Sequence, residues 1–355
     1  MKKIIYFGNN NPFKHKRGIE NVIEFQAESV PQLRKYYIFF DNEIKTKIFR
    51  WNKIICIGIP HNKYRFINLN FIIKKLRKKM NGNCIIHSHN PLMSFFYIGK
   101  IDLMTVHDGL YYQNRELKHK LVNLFYIIEK LNYKRVKKVQ FISEFSKKMS
   151  LFKGENYIKI INSTPFEKFK NYNVDKEFLK KWSDKKLKIF AVRSIEDRAR
   201  IDLLIDLAER RNDIQIKIAG KGPLLDFFRN EIKIKKIPNI ELLGFSSDEN
   251  VVSYYKTCDL VLVTAEHGEG FGLPIIEGYL FDKPVIASNK CAIPEVIIDK
   301  EFLFENKVEN IENCLKKIKK IDFFKYRDYY ENKFSFDKVL KDYKKLYFEI
   351  MKGEK

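Results

Sequence analysis

The sequence predicts an α/β protein with two parallel-sheet domains. Three observations carry that expectation. Short apolar runs alternate with helical patterns through both halves, as parallel βα units require. A chain of 355 residues is more than one ordinary domain. The alternation lapses between Asn162 and Asp184, a stretch without a clean period that reads as a linker.

In the first half, strands are expected near Ile4–Phe7, Tyr37–Phe40, Ile54–Ile57, Cys84–His87, Leu103–Val106, Val139–Ile142 and Ile158–Ile161. Helices are expected near Ile19–Glu28, Leu69–Met80, Lys118–Arg135 and Glu144–Leu151. The second set runs from strand Leu187–Val192 through helix Ile201–Arg211, strand Ile214–Ile218, helix Leu224–Lys235 and strand Ile240–Leu243. It continues with helix Asn250–Thr257, strand Leu260–Val263, a helix from about Leu273 and strand Pro284–Ala287. A last amphipathic helix starts near Phe336. Open parallel sheets bind ligands where loops leave the carboxyl ends of strands, so residues just after strands are the first candidates for chemistry.

Hydrophobic residues make up 45% of the chain, enough for real cores. Five cysteines, Cys56, Cys84, Cys258, Cys291 and Cys314, include no Cys-x-x-Cys pair. That argues against a disulfide framework or structural zinc and fits a reducing cytosol. No apolar run reaches the ~18 residues of a spanning helix. The opening MKKIIYFGNNN reads as a first strand rather than a signal peptide. The richness in Lys, Ile, Asn, Phe and Tyr fits AT-rich coding, as in a low-GC bacterial genome, and such bias inflates lysine. It does not explain how the net charge of +24 is distributed. Residues 1–170 hold 33 Lys+Arg against 12 Asp+Glu, whereas residues 171–355 hold 35 against 32. The first half therefore faces something anionic.

The most informative stretch is Glu269 to Ile293, EGFGLPIIEGYLFDKPVIASNKCAI. Between Glu269 and Glu277 lies a turn, Gly270, Phe271, Gly272, Leu273 and Pro274, that should open a helix. Pro274 suits the first helical turn, where its missing N–H costs nothing. The amides of Gly272 and Leu273 would face outward from the helix N-terminus, a ready phosphate site. The two carboxylates can accept hydrogen bonds from sugar hydroxyls. The attraction of acids to a helix N-terminus explains one Glu. It does not explain the paired glycines, which cost helix stability unless something approaches the backbone closely.

With KPVIAS (Lys283–Ser288) following, this segment resembles the E-x7-E signature of retaining glycosyltransferase family 4, of GT-B fold. The resemblance runs along most of the chain and is strongest from Ile189 to Val296. It implies two Rossmann-like domains facing a central cleft. Residues 1–165 would take the acceptor and 166–185 would link the domains. Residues 186–333 would hold a nucleotide diphosphate-sugar, and a helix in 334–355 would cross back to the first domain. It also implies that Glu277 binds the ribose hydroxyls and Glu269 the sugar hydroxyls.

In the family, a basic pair after the second domain's first strand neutralises the leaving diphosphate. VRSIEDRARIDLLI, from Val192, offers Arg193 and Arg198 there. Arginine suits a diphosphate because it is always charged and can bind bidentately. Ala199 and Arg200 stand where the family often has Lys-Gly, so Arg198 or Arg200 can be the second cation, with Arg198 favoured. A helix dipole disfavours such charges at its N-terminus, so they need another reason to be there.

IAGKGPL supplies Gly220 and Gly222, similar to the family's loop beside the nucleotide base, and Gly244 with Phe245 would flank that base. Tyr254, Tyr255, Cys258 and Asp259 read as structural. KRGIEN (Lys16–Asn21) keeps Gly18 but has Arg17 where the family has a first Gly. His107, in TVHDG at a strand end, matches a His that lies near the donor sugar and reacting centre. His87 and His89 share one strand face and suit a metal, but too few further ligands accompany them, so they are expected to shape the acceptor side.

The segment from Phe66 to Met80 mixes apolar side chains with Lys74, Lys75, Arg77, Lys78 and Lys79 and is expected to lie on an anionic bilayer. The expected activity is retaining sugar transfer from a nucleotide diphosphate-sugar to a glycan or lipid-linked acceptor in surface polysaccharide or lipopolysaccharide assembly. It is expected to need neither cofactor nor metal, and to be cytoplasmic and peripheral at the inner face of the membrane. A nucleotide-sugar epimerase or hydrolase on the same fold is the alternative. A nucleic-acid binder is disfavoured because no reading motif is present.

Overall fold

The computed structural model describes residues 3–14, 18–183, 185–318 and 325–353. Two compact units form: Met1–Ser163 with Phe336–Lys355, and Thr164–Ser335.

The first unit is built on an eight-stranded sheet. Its strands are β1 (Lys3–Phe7), β2 (Arg34–Asp41), β3 (Lys47–Trp51), β4 (Ile54–Pro60), β5 (Cys84–Ser88), β6 (Ile101–Val106), β7 (Val136–Phe141) and β8 (Tyr157–Lys159). Their spatial order is β3-β4-β2-β1-β5-β6-β7-β8. Its helices are α1 (Gly18–Glu28), α2 (Arg65–Lys79), α3 (Pro91–Phe96), α4 (Leu110–Glu116), α5 (Val122–Arg135) and α6 (Glu144–Lys148). The central strands β1, β4, β5 and β6 are largely apolar because helices cover both faces, whereas β3, β7 and β8 carry exposed polar residues. Ile4 and Tyr6 enter one core cluster, Ile5 and Phe7 the other. The last helix, α15 (Phe336–Lys352), completes the first cluster with Val339, Tyr343, Leu346 and Tyr347. The opposite face takes Leu69 and Ile73 of α2 and Met93 of α3.

Two differences from the predicted elements have clear causes. Strand β3 pairs antiparallel with β4 at the sheet edge, and its mixed, half-exposed residues lack the apolar run of a central strand. The helix predicted over Lys118–Arg135 is broken before Val122, where Lys118 takes a left-handed φ of 50°.

The second unit has β9 (Leu187–Val192), β10 (Ile214–Ala219), β11 (Ile240–Gly244), β12 (Leu260–Val263), β13 (Val285–Ser288) and β14 (Leu303–Phe304) in the order β11-β10-β9-β12-β13-β14, all parallel. This is the doubly wound order of dinucleotide-binding sheets. Its helices are α7 (Lys176–Leu179), α8 (Ile201–Arg210), α9 (Leu225–Ile234), α10 (Asp248–Thr257), α11 (Leu273–Leu280), α12 (Ile293–Val296), α13 (Val308–Lys317) and α14 (Lys325–Lys333). Residues 166–185, the expected linker, carry α7, and Phe166, Phe178 and Trp182 are buried within this unit. Phe178 and Trp182 pack edge-on against Tyr254.

Candidate functional site

In the second unit β9 lies beside β12, although two strands intervene in sequence. The loops leaving these two strands therefore diverge from neighbouring points, where doubly wound sheets hold their ligands. The loop after β9 is stitched to the loop after β12. Glu266 N donates to Arg198 O at 2.8 Å and Thr264 Oγ1 to Ala199 O at 2.6 Å. Arg198 donates from Nη1 to Gly268 O at 2.9 Å, and from Nε and Nη2 to Glu196.

Arg193 and Glu269, predicted on separate grounds for phosphate and sugar, meet directly. Arg193 Nη1 donates to Glu269 Oε2 at 2.6 Å, with the arginine 7% exposed. Its buried Nε has no hydrogen-bond partner among the described residues, an unusual state for a guanidinium nitrogen away from water. The strand end that carries Arg193 is fixed by Arg193 N to Ala219 O (3.0 Å) and Ile195 N to Lys221 O (2.9 Å). Gly220 and Gly222 allow that approach. A Cβ on Gly220 would sit 1.7 Å from Arg193 O, and one on Gly222 2.0 Å from Ile195 O. These glycines thus have a packing reason independent of any base.

Glu277 projects from α11, whose N-cap Gly272 has φ 96° and whose first turn contains Pro274. The helix is buried along most of its length, which explains the apolar run LPII ahead of the carboxylate. Tyr255 OH donates to Glu277 Oε2 at 2.8 Å, and Thr164 Oγ1 to Oε1 at 3.2 Å. Burial outweighs both donors and pushes the Glu277 carboxyl up to about 7. Sequence reasoning missed Thr164, which lay in the supposed linker, and read Tyr255 as structural. No periodic signal links either to residue 277.

Arg200, the rival second cation, is occupied otherwise. Its guanidinium binds Asp202 and Glu266, and its φ of 51° caps α8. Those carboxylates account for a positive charge at that helix end. Among the remaining candidates, Gly270 is buried and Leu273 half-buried, while Phe271 turns inward with its ring 6.0 Å from Phe334. Phe271 can offer only its backbone to a ligand. Phe245 is 72% exposed just after Gly244, at the end of β11, with Lys221 Nζ 4.9 Å from its ring centre.

In the first unit the corresponding switch lies between β1 and β5. His89 follows β5, and its N–H donates to Phe7 O at 2.9 Å. Gln26 Oε1 can only accept, so His89 Nε2 donates to it at 3.0 Å. His89 Nδ1 must then accept from His107 Nε2 at 2.9 Å, which leaves His107 Nδ1 as its unprotonated nitrogen.

A second chain runs beside it. Thr105 donates to Gln140 at 2.5 Å and so accepts from His87 Nε2 at 2.7 Å. His87 Nδ1 accepts from Tyr347 OH at 2.8 Å, and Tyr347 from Tyr6 OH at 3.0 Å. Both nitrogens of His87 and of His89 are thus engaged by neighbours. Burial holds both rings neutral and pushes His107 down to about 4. Gly18 is the exposed first residue of α1. Lys16 and Arg17 lie outside the described residues.

Residues 174–333 match the family model described as glycosyl transferases group 1. That stretch contains Arg193, Arg198, Glu269 and Glu277. An uncharacterized glycosyltransferase of Methanocaldococcus jannaschii is 34% identical over 129 residues, which cover 36% of this chain and 36% of that protein. The match thus spans about a third of that relative. Among solved structures, a sucrose-phosphate synthase of Thermosynechococcus elongatus superposes with a TM-score of 0.81 at 15% identity, covering 100% of both chains. Anabaena HepE in complex with UDP-glucose has a TM-score of 0.76 at 15% identity, covering 98% of this chain and 100% of that one. At such identities the likeness is one of fold. The α/β architecture of two parallel-stranded sheets, predicted from the alternation, is the one these structures share.

Proposed function

We propose that the protein is a retaining glycosyltransferase of the GT-B type, moving a sugar from a nucleotide diphosphate-sugar to a hydroxyl of a glycan or lipid-linked acceptor. One observation carries this reading. A buried arginine with an unpartnered Nε lies at the switch point of the second sheet, paired to the first of two carboxylates flanking a glycine-rich helix start.

Glu277, turned toward its Thr164 and Tyr255 donors, accepts from the ribose hydroxyls. Glu269 holds Arg193 in place through one oxygen and offers the other to a sugar hydroxyl. Arg193, Arg198 and the first amides of α11 stabilise the diphosphate as it leaves. In the first unit, His107 at the end of β6 is a neutral imidazole, the form suited to a polar contact with substrate. Fixed cations and amides supply the electrostatics, so no metal is required. Surface polysaccharide or lipopolysaccharide assembly at the inner face of a bacterial membrane suits an acceptor approached by so basic a first unit.

The test is a screen of nucleotide sugars for thermal stabilisation, which bound ligand raises by mass action. It is followed by mass-spectrometric detection of a glycosylated acceptor and assignment of its anomeric configuration. Nucleotide release without any acceptor-dependent product would mark a hydrolase and sink the transferase reading.

A further inference from the structure

One face of the first unit's sheet is covered by α2, α3 and α5, and the outer surface of this layer is unusual. Sequence reasoning placed a bilayer contact on the segment 66–80 alone. In the structure Leu69 and Ile73 of that segment are buried, and Phe66, Ile72 and Leu76 pack against the same core. Only Ile67 and Phe71, two-thirds exposed, remain as outward apolar groups of α2. The larger apolar contribution comes from elsewhere. Phe96 and Ile98 are exposed at the end of α3, Ile98 by 84%. Along α5, Leu124, Ile127 and Leu131 form an exposed stripe at helical spacing, flanked by the buried Ile128 and Asn132.

Hydrogen bonds lock these groups into one surface. Asn70 of α2 donates to Phe96 O at 2.9 Å and accepts from Ile98 N at 2.7 Å. Asn132 of α5 donates to Pro91 O at 2.8 Å, and Arg135 to Phe95 O at 3.0 Å. The exposed rows therefore belong to a single rigid layer, not to three loose segments.

The charge of this layer is one-sided. Residues 61–140 contain 16 Lys+Arg against four Asp+Glu. Of those four, Asp102 and Glu129 are buried and Asp108 is half-buried, leaving Glu116 as the one fully exposed carboxylate. Lys74, Lys75, Lys78 and Lys79 extend from α2, and Lys120, Lys130 and Lys134 edge the α5 stripe, all exposed. Exposed aliphatic side chains ringed by lysines suit the boundary between lipid headgroups and acyl chains. Exposed aromatics lie on this layer too, Phe71, Phe96 and Tyr126, the last with Lys130 Nζ 5.6 Å from its ring centre, but the α5 stripe is aliphatic and gives bases no stacking platform, which favours lipid.

We propose that the outer face of α2, α3 and α5 is a docking surface for a bilayer containing anionic lipid. Ile67, Phe71, Ile98 and the α5 stripe enter the interface, and the lysines lie over the headgroups. No described helix is long and apolar enough to cross a membrane, so the attachment is in-plane and reversible. The proposal deepens the reading of a lipid-linked acceptor. Vesicle binding is measured without donor or acceptor, so its failure is distinguishable from a failure of sugar transfer.

The experiment is co-sedimentation of the full chain with vesicles of phosphatidylcholine alone or mixed with phosphatidylglycerol. Binding is expected only to the mixed vesicles, with release as salt shortens the screening length from ~10 Å at 0.1 M to ~3 Å at 1 M. Two variants locate the surface, Ile127→Asp with Leu131→Asp, and Lys74, Lys75, Lys78 and Lys79 all changed to Gln. Each should weaken partitioning by about tenfold or more and leave the melting temperature and nucleotide affinity unchanged. Equal binding to neutral vesicles, no binding to anionic ones, or undiminished binding by the aspartate variant would each overturn the proposal. So would an oligonucleotide that binds more tightly than the anionic vesicles at the same salt and is weakened by the same variants.

Discussion

Glu277 is the residue with the sharpest pH signature. Burial raises its folded-state value from the usual 4.5 to about 7, so the native state holds this proton more tightly than the unfolded chain. Its contribution therefore favours folding below about pH 4.5. It is lost as pH rises to about 7, a change of roughly 3 kcal/mol from the conversion of shift to energy. Ribose hydroxyls donating to the carboxylate would favour its charged form. Nucleotide binding just below about pH 7 should thus release a proton, seen by calorimetry in buffers of different ionisation enthalpy. Glu277→Gln should abolish that release while leaving the nucleotide's own titration, and identical pH profiles for the two proteins would refute the assignment.

Arg193 has a different test, because its pairing with Glu269 was not visible in the sequence. The two positions are 76 residues apart and meet only through strand order. Arg193→Ala should cost up to ~3 kcal/mol of stability by stripping its partner from the half-buried Glu269 carboxylate. It should also lower turnover by ~10²-fold or more. Arg193→Lys keeps the charge but loses the planar fork, so turnover should still fall while most stability is retained. Near wild-type turnover in the lysine variant would remove Arg193 from the diphosphate role. Residue types and their places after strands were legible in the sequence. The Thr164 and Tyr255 donors were not, because they come from a supposed linker and a helix face read as packing.

Among the elements, the central parallel strands were predicted well because each is an apolar run covered on both faces. Those missed were edge strand β3 and the polar α13 and α14, which lack a clear apolar run, and α3, α4, α7, α12 and β14, each too short to show a period. Helix α15 was predicted from its apolar spacing, but its hydroxyl contacts were not. Tyr347 donates a hydrogen bond to His87 and accepts one from Tyr6, all three side chains being fully buried. Tyr347→Phe should therefore cost ~1–3 kcal/mol through the polar groups it strands. Adding Tyr6→Phe should cost much less than it does alone, since the shared bond is already gone. A double-mutant cycle by urea denaturation measures this, and simple additivity would show that the relay carries no coupling.

On the scale of the whole molecule, two separate cores predict two separable responses. Leu346→Ala, in α15, should destabilise the first unit by ~2–5 kcal/mol and leave nucleotide affinity in the second unit unchanged. Loss of both together would mean that the units unfold as one. Activity is also expected to survive EDTA; abolition by chelator and rescue by Mn²⁺ would reopen a metal role. The alternation of strands and helices announced both sheets, but not that residue 164 begins the second unit, since a short apolar segment carries no period of its own. The first unit's composition from two distant stretches, Met1–Ser163 and Phe336–Lys355, bears on how the protein is made. At ~5–20 residues per second the ribosome spends roughly ten to thirty seconds on the intervening second unit. Throughout that time the face that awaits Val339, Tyr343, Leu346 and Tyr347 stays open on a nascent chain whose second unit is closing on itself. A polypeptide released early would carry an intact second unit and an unfinished first one, a greasy sheet face for chaperones and proteases to find.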